Sequence, residues 1–448
     1  MSDTLLPSSH EGLSAQSVPG DVDTQTAAWS TSRRVALLVL LCAVTATSLM
    51  DRQIISILIT PIKHEFGATD AQMGLLTGLA FAAVYVVAGF PLASWADNGN
   101  RRTVLAVSLA MWSVMTMLCG ATRSFGQLAA ARMGLALGEA GCNPASHSII
   151  ADLFSKRERA KAIGFFNASG AIGVSLGLFA GGTLVSHFDW RTVFVIIGAP
   201  GLVLAVIVKF AAHEPLRGMA DARRTNTYER TALRKRLGSL SRHRTFRRLT
   251  FSAAACAFVN YGLSSWSAAF FMRVHHLTPA VVGTKLALVS VLGLLAGTIG
   301  AGMLTDRCSR SDLRWAMRIA GVGMLGALPS GALFLLTPNV NVGFISYGFA
   351  ICLSAAWATP IYALTQTVAP VRMRGLASAV VAFFLNVAGY GLAPFVVGKL
   401  SDVFLPAFGE QSLRYALLVL VATSVGAALI CFGANRYLLA DCEAAERT

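Results

Sequence analysis

The sequence predicts an all-α membrane protein, with twelve transmembrane helices in two pseudo-symmetric halves of six. Three observations carry this. The 448-residue chain is 55% hydrophobic and only 13% charged, against about 25% charge in a soluble domain. Apolar runs of roughly 20 residues recur along nearly the whole length, each able to cross a hydrocarbon core about 30 Å thick. A short charged turn also occurs twice between apolar stretches: Ala93-Ser94-Trp95-Ala96-Asp97-Asn98-Gly99-Asn100-Arg101-Arg102, and Gly302-Met303-Leu304-Thr305-Asp306-Arg307-Cys308-Ser309-Arg310. Each copy follows the second span of its half, and the acidic anchors stand a little under half the chain apart. Membrane chains built from two similar halves place a substrate site between them.

Residues 1–32 are polar, rich in Ser, Thr and Asp, and lack helical periodicity. They read as a disordered tail; no basic segment precedes a short apolar core as in a signal peptide. Residues 33–213 hold the first bundle, with spans at 35–59, 71–95, 103–122, 126–153, 163–186 and 193–212. Residues 214–248 form a basic linker. The second bundle, 249–437, has spans at 249–272, 282–304, 315–336, 342–366, 375–400 and 413–436, and 438–448 is a tail. Basic residues fall on alternate connections: Arg33/Arg34, Arg101/Arg102, Lys156/Arg157/Arg159/Lys161, the linker, Arg307/Arg310/Arg314 and Arg372/Arg374. The intervening loops carry fewer, among them Lys63, Arg123, Arg191, Arg273 and Lys399. The positive-inside rule then predicts a multi-pass protein of the cell membrane with both termini cytoplasmic.

Composition also excludes functions. The eight cysteines are scattered, without a CxxC pair, and read as apolar packing residues; no metal is expected. No GxxxxGK[ST] loop is present, so nothing points to ATP, and no cofactor is expected. Gly297-Thr298-Ile299-Gly300-Ala301-Gly302 resembles part of a dinucleotide loop but lies in an apolar span with no strand before it. The net charge of +15 is concentrated in the linker, where only Tyr228 is an interleaved aromatic. That distribution argues for topology and attraction to anionic membrane lipid, not for nucleic acid. No activated nucleophile or metal cluster supports an enzyme.

The doubled Asp turn, the two halves and Trp190-Arg191-Thr192-Val193-Phe194 at the start of span six resemble the major facilitator superfamily across about residues 33–437. Met50-Asp51-Arg52, Gly138-Glu139-Ala140 and Ala151-Asp152-Leu153-Phe154 look most like its spinster-type branch. The anion:cation symporter branch shares an Asp-Arg pair and a Gly-Glu-Ala segment. The first turn departs from the superfamily pattern, with Ala93 for a glycine and Asn98 for a basic residue.

Several residues are candidates for gating. Asp97, Arg101 and Arg102, mirrored by Asp306, Arg307 and Arg310, can latch one face by holding a carboxylate against basic groups and a helix end. The alternative is a plain positive-inside loop. Span five carries Gly170, Gly173, Gly177 and Gly181 at near four-residue spacing, a groove for close helix approach at a moving interface, loosely matched in span eleven by Gly389, Gly391, Pro394 and Gly398.

Charges inside spans are costly and mark functional interiors. Asp51 and Arg52 lie in span one, Arg132 and Glu139 in span four. At 1.5 Å per residue, Asp51 stands about 24 Å up span one and Arg132 about 9 Å below the other end of span four, so the two share a depth; Glu139 is nearer the midplane. This predicts an Asp51–Arg132 pair released by protonation, and a desolvated Glu139 able to hold a proton near neutral pH. A static salt bridge is the alternative. The spinster-type resemblance implies the same proton-coupling role for Asp51, Glu139 and Arg132. His147 reads as a relay or as a buried hydrogen-bonded histidine, and Lys285 as an anion attractor or a snorkelling lysine.

Substrate-contact candidates are Arg52 and the polar or aromatic groups at mid-depth: Asn143, Asn167, Asn260, Tyr261, Trp266, Trp357, Tyr362, Gln366, Asn386 and Tyr390, with Thr359 beside them. Two deep arginines predict an anionic substrate. The spinster-type resemblance implies a lipid-like anion such as a lysophospholipid, and the symporter resemblance implies small organic acids such as sugar acids or aromatic carboxylates. The expected protein is a monomeric proton-coupled transporter working by alternating access. A membrane receptor that kept the fold is the rival, and would need no titrating pair.

Overall fold

A computed structural model describes residues 29–217, 219, 238, 240, 243–369 and 373–446. The polar tail and most of the basic linker lie outside these residues. Among the described residues the chain is helical throughout, with twelve helices in two halves. The first half comprises α1 (Thr31–Phe66), α2 (Asp70–Gly74, a π-helical turn Leu75–Leu79, then Ala80–Asn98) and α3 (Arg101–Gly120). It continues with α4 (Phe125–Glu139 and Cys142–Leu153), α5 (Lys156–Val185) and α6 (Trp190–Ala211). The second half comprises α7 (Arg244–Val274), α8 (Pro279–Cys308), α9 (Arg314–Leu336) and α10 (Val340–Ala355 and Ala358–Val368). It ends with α11 (Arg374–Leu385, a π-helical segment Asn386–Leu392, then Ala393–Phe408) and α12 (Ser412–Glu446). Helix α7 starts inside the segment that composition assigns to the linker, and α12 runs into the expected tail. With twelve crossings both chain ends lie on one face, called here the terminal face.

Two of the broken helices correspond between the halves. Helix α4 breaks before Pro144 and α10 breaks before Pro360. In each case proline has no N–H for the carbonyl four residues back, and its ring crowds that carbonyl, at Ala140 and Ala356 respectively. The π-helical segments of α2 and α11 meet across the halves. A Cβ on Gly74 would lie 2.3 Å from Pro394 O, and one on Gly78 would lie 2.5 Å from Gly391 O. Side chains are excluded there so that two backbones can touch.

Nine stretches among the described residues are long and apolar enough to cross a membrane by hydropathy, one of them, Gly375–Asn435, taking in both α11 and α12. Helices α4 and α7 do not qualify. They carry Arg132 and Glu139, and Asn260, Tyr261, Ser264 and Ser265. Polarity that lowers their hydropathy is spent on the interior of the bundle.

The glycine stripe of α5 packs within its own half. Added Cβ atoms at Gly173 and Gly177 would lie 2.3 Å from Ala46 O and 2.6 Å from Met50 O, both on α1. Contact with the other half comes at Gly182, whose Cβ would lie 2.4 Å from Pro279 O on α8. The match in α11 does cross the halves: a Cβ on Gly398 would lie 2.1 Å from Asp70 O.

Candidate functional site

Helices α1, α2, α4, α7 and α11 line a small, partly open central pocket of about 40 Å³. Arg52, Phe81, Arg132, Tyr261 and Tyr390 line it, together with Gln53, Ser56, Thr77, Ser264 and Ser265. It is a cationic and aromatic chamber ringed with hydroxyls.

Arg52 sits at its centre. Its Nε donates to Glu139 Oε2 at 2.5 Å, and Glu139 is buried. The guanidinium lies 4.5 Å from the Phe81 ring, 4.6 Å from Tyr85 and 5.3 Å from Tyr390. Cation–π attraction to three ring faces helps hold it there. Tyr390 stacks on Tyr261 at 3.9 Å, and Asn143 Nδ2 donates to Tyr85 Oη at 3.0 Å.

Depth along the helices predicts Asp51 beside Arg132, but that pair is not formed in this conformation. Asp51 is buried and its Oδ2 accepts from Thr116 Oγ1 at 3.2 Å, while Oδ1 has no hydrogen-bond partner. Arg132 is buried with Nε and one terminal nitrogen unpartnered, and its guanidinium lies 5.7 Å from the Phe81 ring. Consecutive helical residues point about 100° apart. Asp51 therefore faces α3 while Arg52 faces α4 and the pocket.

The remaining candidates divide. Arg52, Arg132, Tyr261 and Tyr390 share the pocket, and Asn143 bonds Tyr85, whose ring lies against the Arg52 guanidinium. Trp266 is fully buried and donates from Nε1 to Pro394 O at 3.0 Å; Asn260 is buried against Ser354 Oγ at 2.8 Å. Both tie helices together behind the pocket. Trp357 is buried in the core of the second half, with Tyr362 packed at its margin. Gln366 bonds Ser378 Oγ at 2.5 Å, and Asn386 bonds Ala382 O of its own helix at 2.7 Å. Asn167 is exposed on α5. His147 meets the Phe166 ring edge-on at 5.1 Å, and Lys285 donates to Asn341 Oδ1 at 2.8 Å.

Sequence reasoning missed a lock on the face opposite the chain ends. Asp70, at the start of α2, is buried and accepts from Lys63 Nζ at 2.6 Å, Arg273 at 2.8 and 2.9 Å and Ser401 Oγ at 2.8 Å. Asp402 of α11 accepts from the backbone N–H groups of Asp70 and Ala71 at 2.9 and 2.8 Å. A carboxylate at a helix N-terminus satisfies otherwise unpaired donors and the positive end of the helix. Each half thus lends an aspartate to the other. Lys63 and Arg273 had stood out only as sparse loop charges; the available signal was two aspartates at helix ends beside them.

The terminal face differs. Asp97, Asp306, Arg307 and Arg310 are exposed, and no hydrogen bond or ion pair is made by their side chains among the described residues. Arg101 is instead buried within its own half, paired with Asp152 and with Glu214 at 2.7 Å. Arg102 donates its backbone N–H to Glu214 at 2.8 Å. Among the described residues, the hydrogen bonds and ion pairs joining the halves all lie at mid-depth or toward the opposite face. Among the described residues, the Asp70 cluster joins the halves on the opposite face, and no hydrogen bond or ion pair joins them on the terminal one.

Comparison with known proteins agrees with this architecture. The Major Facilitator Superfamily model matches residues 41–394. An MFS-type efflux pump of Mycolicibacterium smegmatis is 33% identical over 390 residues, 86% of this chain and 88% of that protein. Protein spinster homolog 1 of Xenopus tropicalis is 25% identical over 413 residues, 86% of this chain and 77% of that one. A bacterial homolog to the human lysosomal transporter Spinster, solved in an inward-facing and unoccupied conformation, superposes with a TM-score of 0.83 at 29% identity. The match covers 92% of this chain and 99% of that one.

Proposed function

The chain belongs to the Major Facilitator Superfamily, in its spinster branch, and from that premise we propose that it is a proton-coupled secondary transporter of an amphipathic organic anion. The observation that carries this reading is the Arg52–Glu139 pair, bonded at 2.5 Å, in which Glu139 is buried behind Arg52 and Arg52 lines the pocket. An ionised Glu139 neutralises Arg52. Protonation of Glu139 removes the countercharge and leaves the arginine to an incoming anion. Proton and anion then favour each other's binding, and by linkage the coupling is reciprocal. Arg132 supplies unpartnered N–H groups in the same chamber. The aromatic faces of Phe81, Tyr261 and Tyr390 suit an apolar body attached to the charged end, which favours a lysophospholipid-like anion over a sugar acid.

The terminal face corresponds to the cytoplasm in this reading, because the basic loops lie there. The protein acts as a monomer in the cell membrane, alternating between the present conformation and one in which the Asp70 lock is open and the Asp97 and Asp306 turns are engaged. A receptor that kept the fold has no use for a titrating pair at the pocket. The test is Glu139→Gln in proteoliposomes under an imposed pH gradient. Gradient-driven flux of a lysophospholipid probe should vanish, while gradient-free exchange persists. Unchanged gradient-driven flux in a folded, inserted variant refutes the coupling.

A further inference from the structure

We propose that Tyr390 is a positioning residue that ties the charge on Arg52 to the contact between the halves, and so keeps protons from crossing with an empty carrier; this rests on the proton-coupled reading above. Three ring faces lie over the Arg52 guanidinium. Phe81 and Tyr85 come from α2, in the same half, whereas Tyr390 comes from α11, in the other. Its ring centroid stands 5.3 Å from the guanidinium carbon, within the range of cation–π attraction. Tyr390 touches the first half through its backbone as well: a Cβ on Gly78 of α2 would lie 3.0 Å from Tyr390 O. Within its own half the ring is braced by stacking on Tyr261 of α7 at 3.9 Å.

The strength of this contact depends on Glu139. The groups around that carboxyl are Arg52 and Asp51 of α1, Arg132 and Cys142 of α4, and Tyr390 itself. Arg52 is bonded to it at 2.5 Å. An ionised Glu139 cancels most of the guanidinium's field at the ring, because the two opposite charges lie close together beside it. A protonated Glu139 leaves that field whole, and the attraction to Tyr390 strengthens. A bound anion then takes the carboxylate's place and weakens it again. The neighbouring bond between the halves, Gln53 Nε2 to Ser264 O at 3.4 Å, joins neutral groups and carries no such dependence. Hence the protonated, empty carrier is the state most firmly held in the present arrangement of α1 and α11. The ionised empty carrier and the protonated loaded carrier are freer to part. Those two states must cross if proton and anion are to travel together, and the held state is the one whose crossing would dissipate the gradient.

The test uses the full chain in proteoliposomes with an imposed pH gradient and a pH-sensitive dye inside, with or without palmitoyl lysophosphatidylglycerol. Without the lysolipid the parent should pass few protons. Y390L removes the ring and should raise that lysolipid-free proton flux by about tenfold. Y390M also lacks a ring, and decides the matter if Y390L fails to insert. Y390F keeps the ring and should leak no more than the parent. E139Q/Y390L should lose the leak, because the carboxyl that carries the proton is gone; a merely loosened protein would still leak. No added flux in the ringless variants, a leak in Y390F equal to that of Y390L, or a leak that persists in E139Q/Y390L would overturn the proposal. Those outcomes leave the proton-coupled reading standing so long as E139Q alone abolishes gradient-driven lysolipid flux; if it does not, that reading falls and the proposal with it.

Discussion

At the scale of single residues, two arginines at similar depth are held in opposite ways. Arg52 is countered by Glu139 at 2.5 Å, whereas Arg132 keeps two nitrogens without hydrogen-bond partners. A buried charge-assisted hydrogen bond is worth about 1.5–3 kcal/mol, which corresponds to roughly 10–100-fold in affinity. Arg132→Gln should therefore raise the Kd for an anionic lysolipid by about 10–100-fold and leave the pH dependence of binding in place. Arg52→Gln should flatten the pH dependence as well, because Glu139 would lose its partner. Isothermal titration at two pH values separates the outcomes; identical profiles for both variants would remove the division of labour. Depth was legible in the sequence, since it follows from counting residues. Azimuth was not, because a one-residue difference on a helix turns a side chain toward a different neighbour. That is why Asp51, not Arg52, looked like the partner of a deep charge.

At the scale of elements, the positions of the helices follow closely from apolar runs, but their interruptions do not. Pro144 and Pro360 were present to be read, yet each lies within a run apolar enough to pass as continuous. The π-helical segments of α2 and α11 left no such mark, because they arise where two backbones from different halves come into contact. Their glycines make a separate prediction. A Cβ on Gly398 would sit 2.1 Å from Asp70 O, and overpacking of this kind costs typically about 1–3 kcal/mol. In the alternating cycle proposed above, this contact would be present only while the opposite face is closed. Gly398→Val should thus destabilise this conformation without unfolding either half. Accessibility of a cysteine placed at Ser401, buried here against Asp70, to an impermeant maleimide should rise several-fold in the variant. Unchanged labelling with preserved expression would show that the helices can separate locally without opening the gate.

At the scale of the whole molecule, the reading proposed above gives the two faces opposed devices, and among the described residues only the Asp70 lock makes contacts between the halves. The duplicated Asp turn was conspicuous in sequence because it recurs. The Asp70 lock was not, because its members come from the ends of four helices, α1, α2, α7 and α11, and none repeats. If both devices bias one equilibrium, their mutations must act with opposite signs. Asp402→Asn removes a carboxylate from the N-terminus of α2 and should favour opening of the opposite face. Asp97→Asn removes a charge that is unpartnered here, and so should cost the present conformation nothing while weakening the other. Each about 1.4 kcal/mol of bias is a tenfold change in the ratio of states. Spin labels at His64 and Glu410 report the opposite face, and labels at Asn98 and Ser311 the terminal face; all four positions are exposed. Asp402→Asn should lengthen the first distance and shorten the second, and Asp97→Asn should do the reverse. The sites are on different faces with no shared partner, so the double variant should return the distribution toward that of the parent by simple addition. Shifts of the same sign in both single variants would mean that the charged turn and the Asp70 lock do not oppose one another, and the alternating arrangement proposed for them would have to be abandoned.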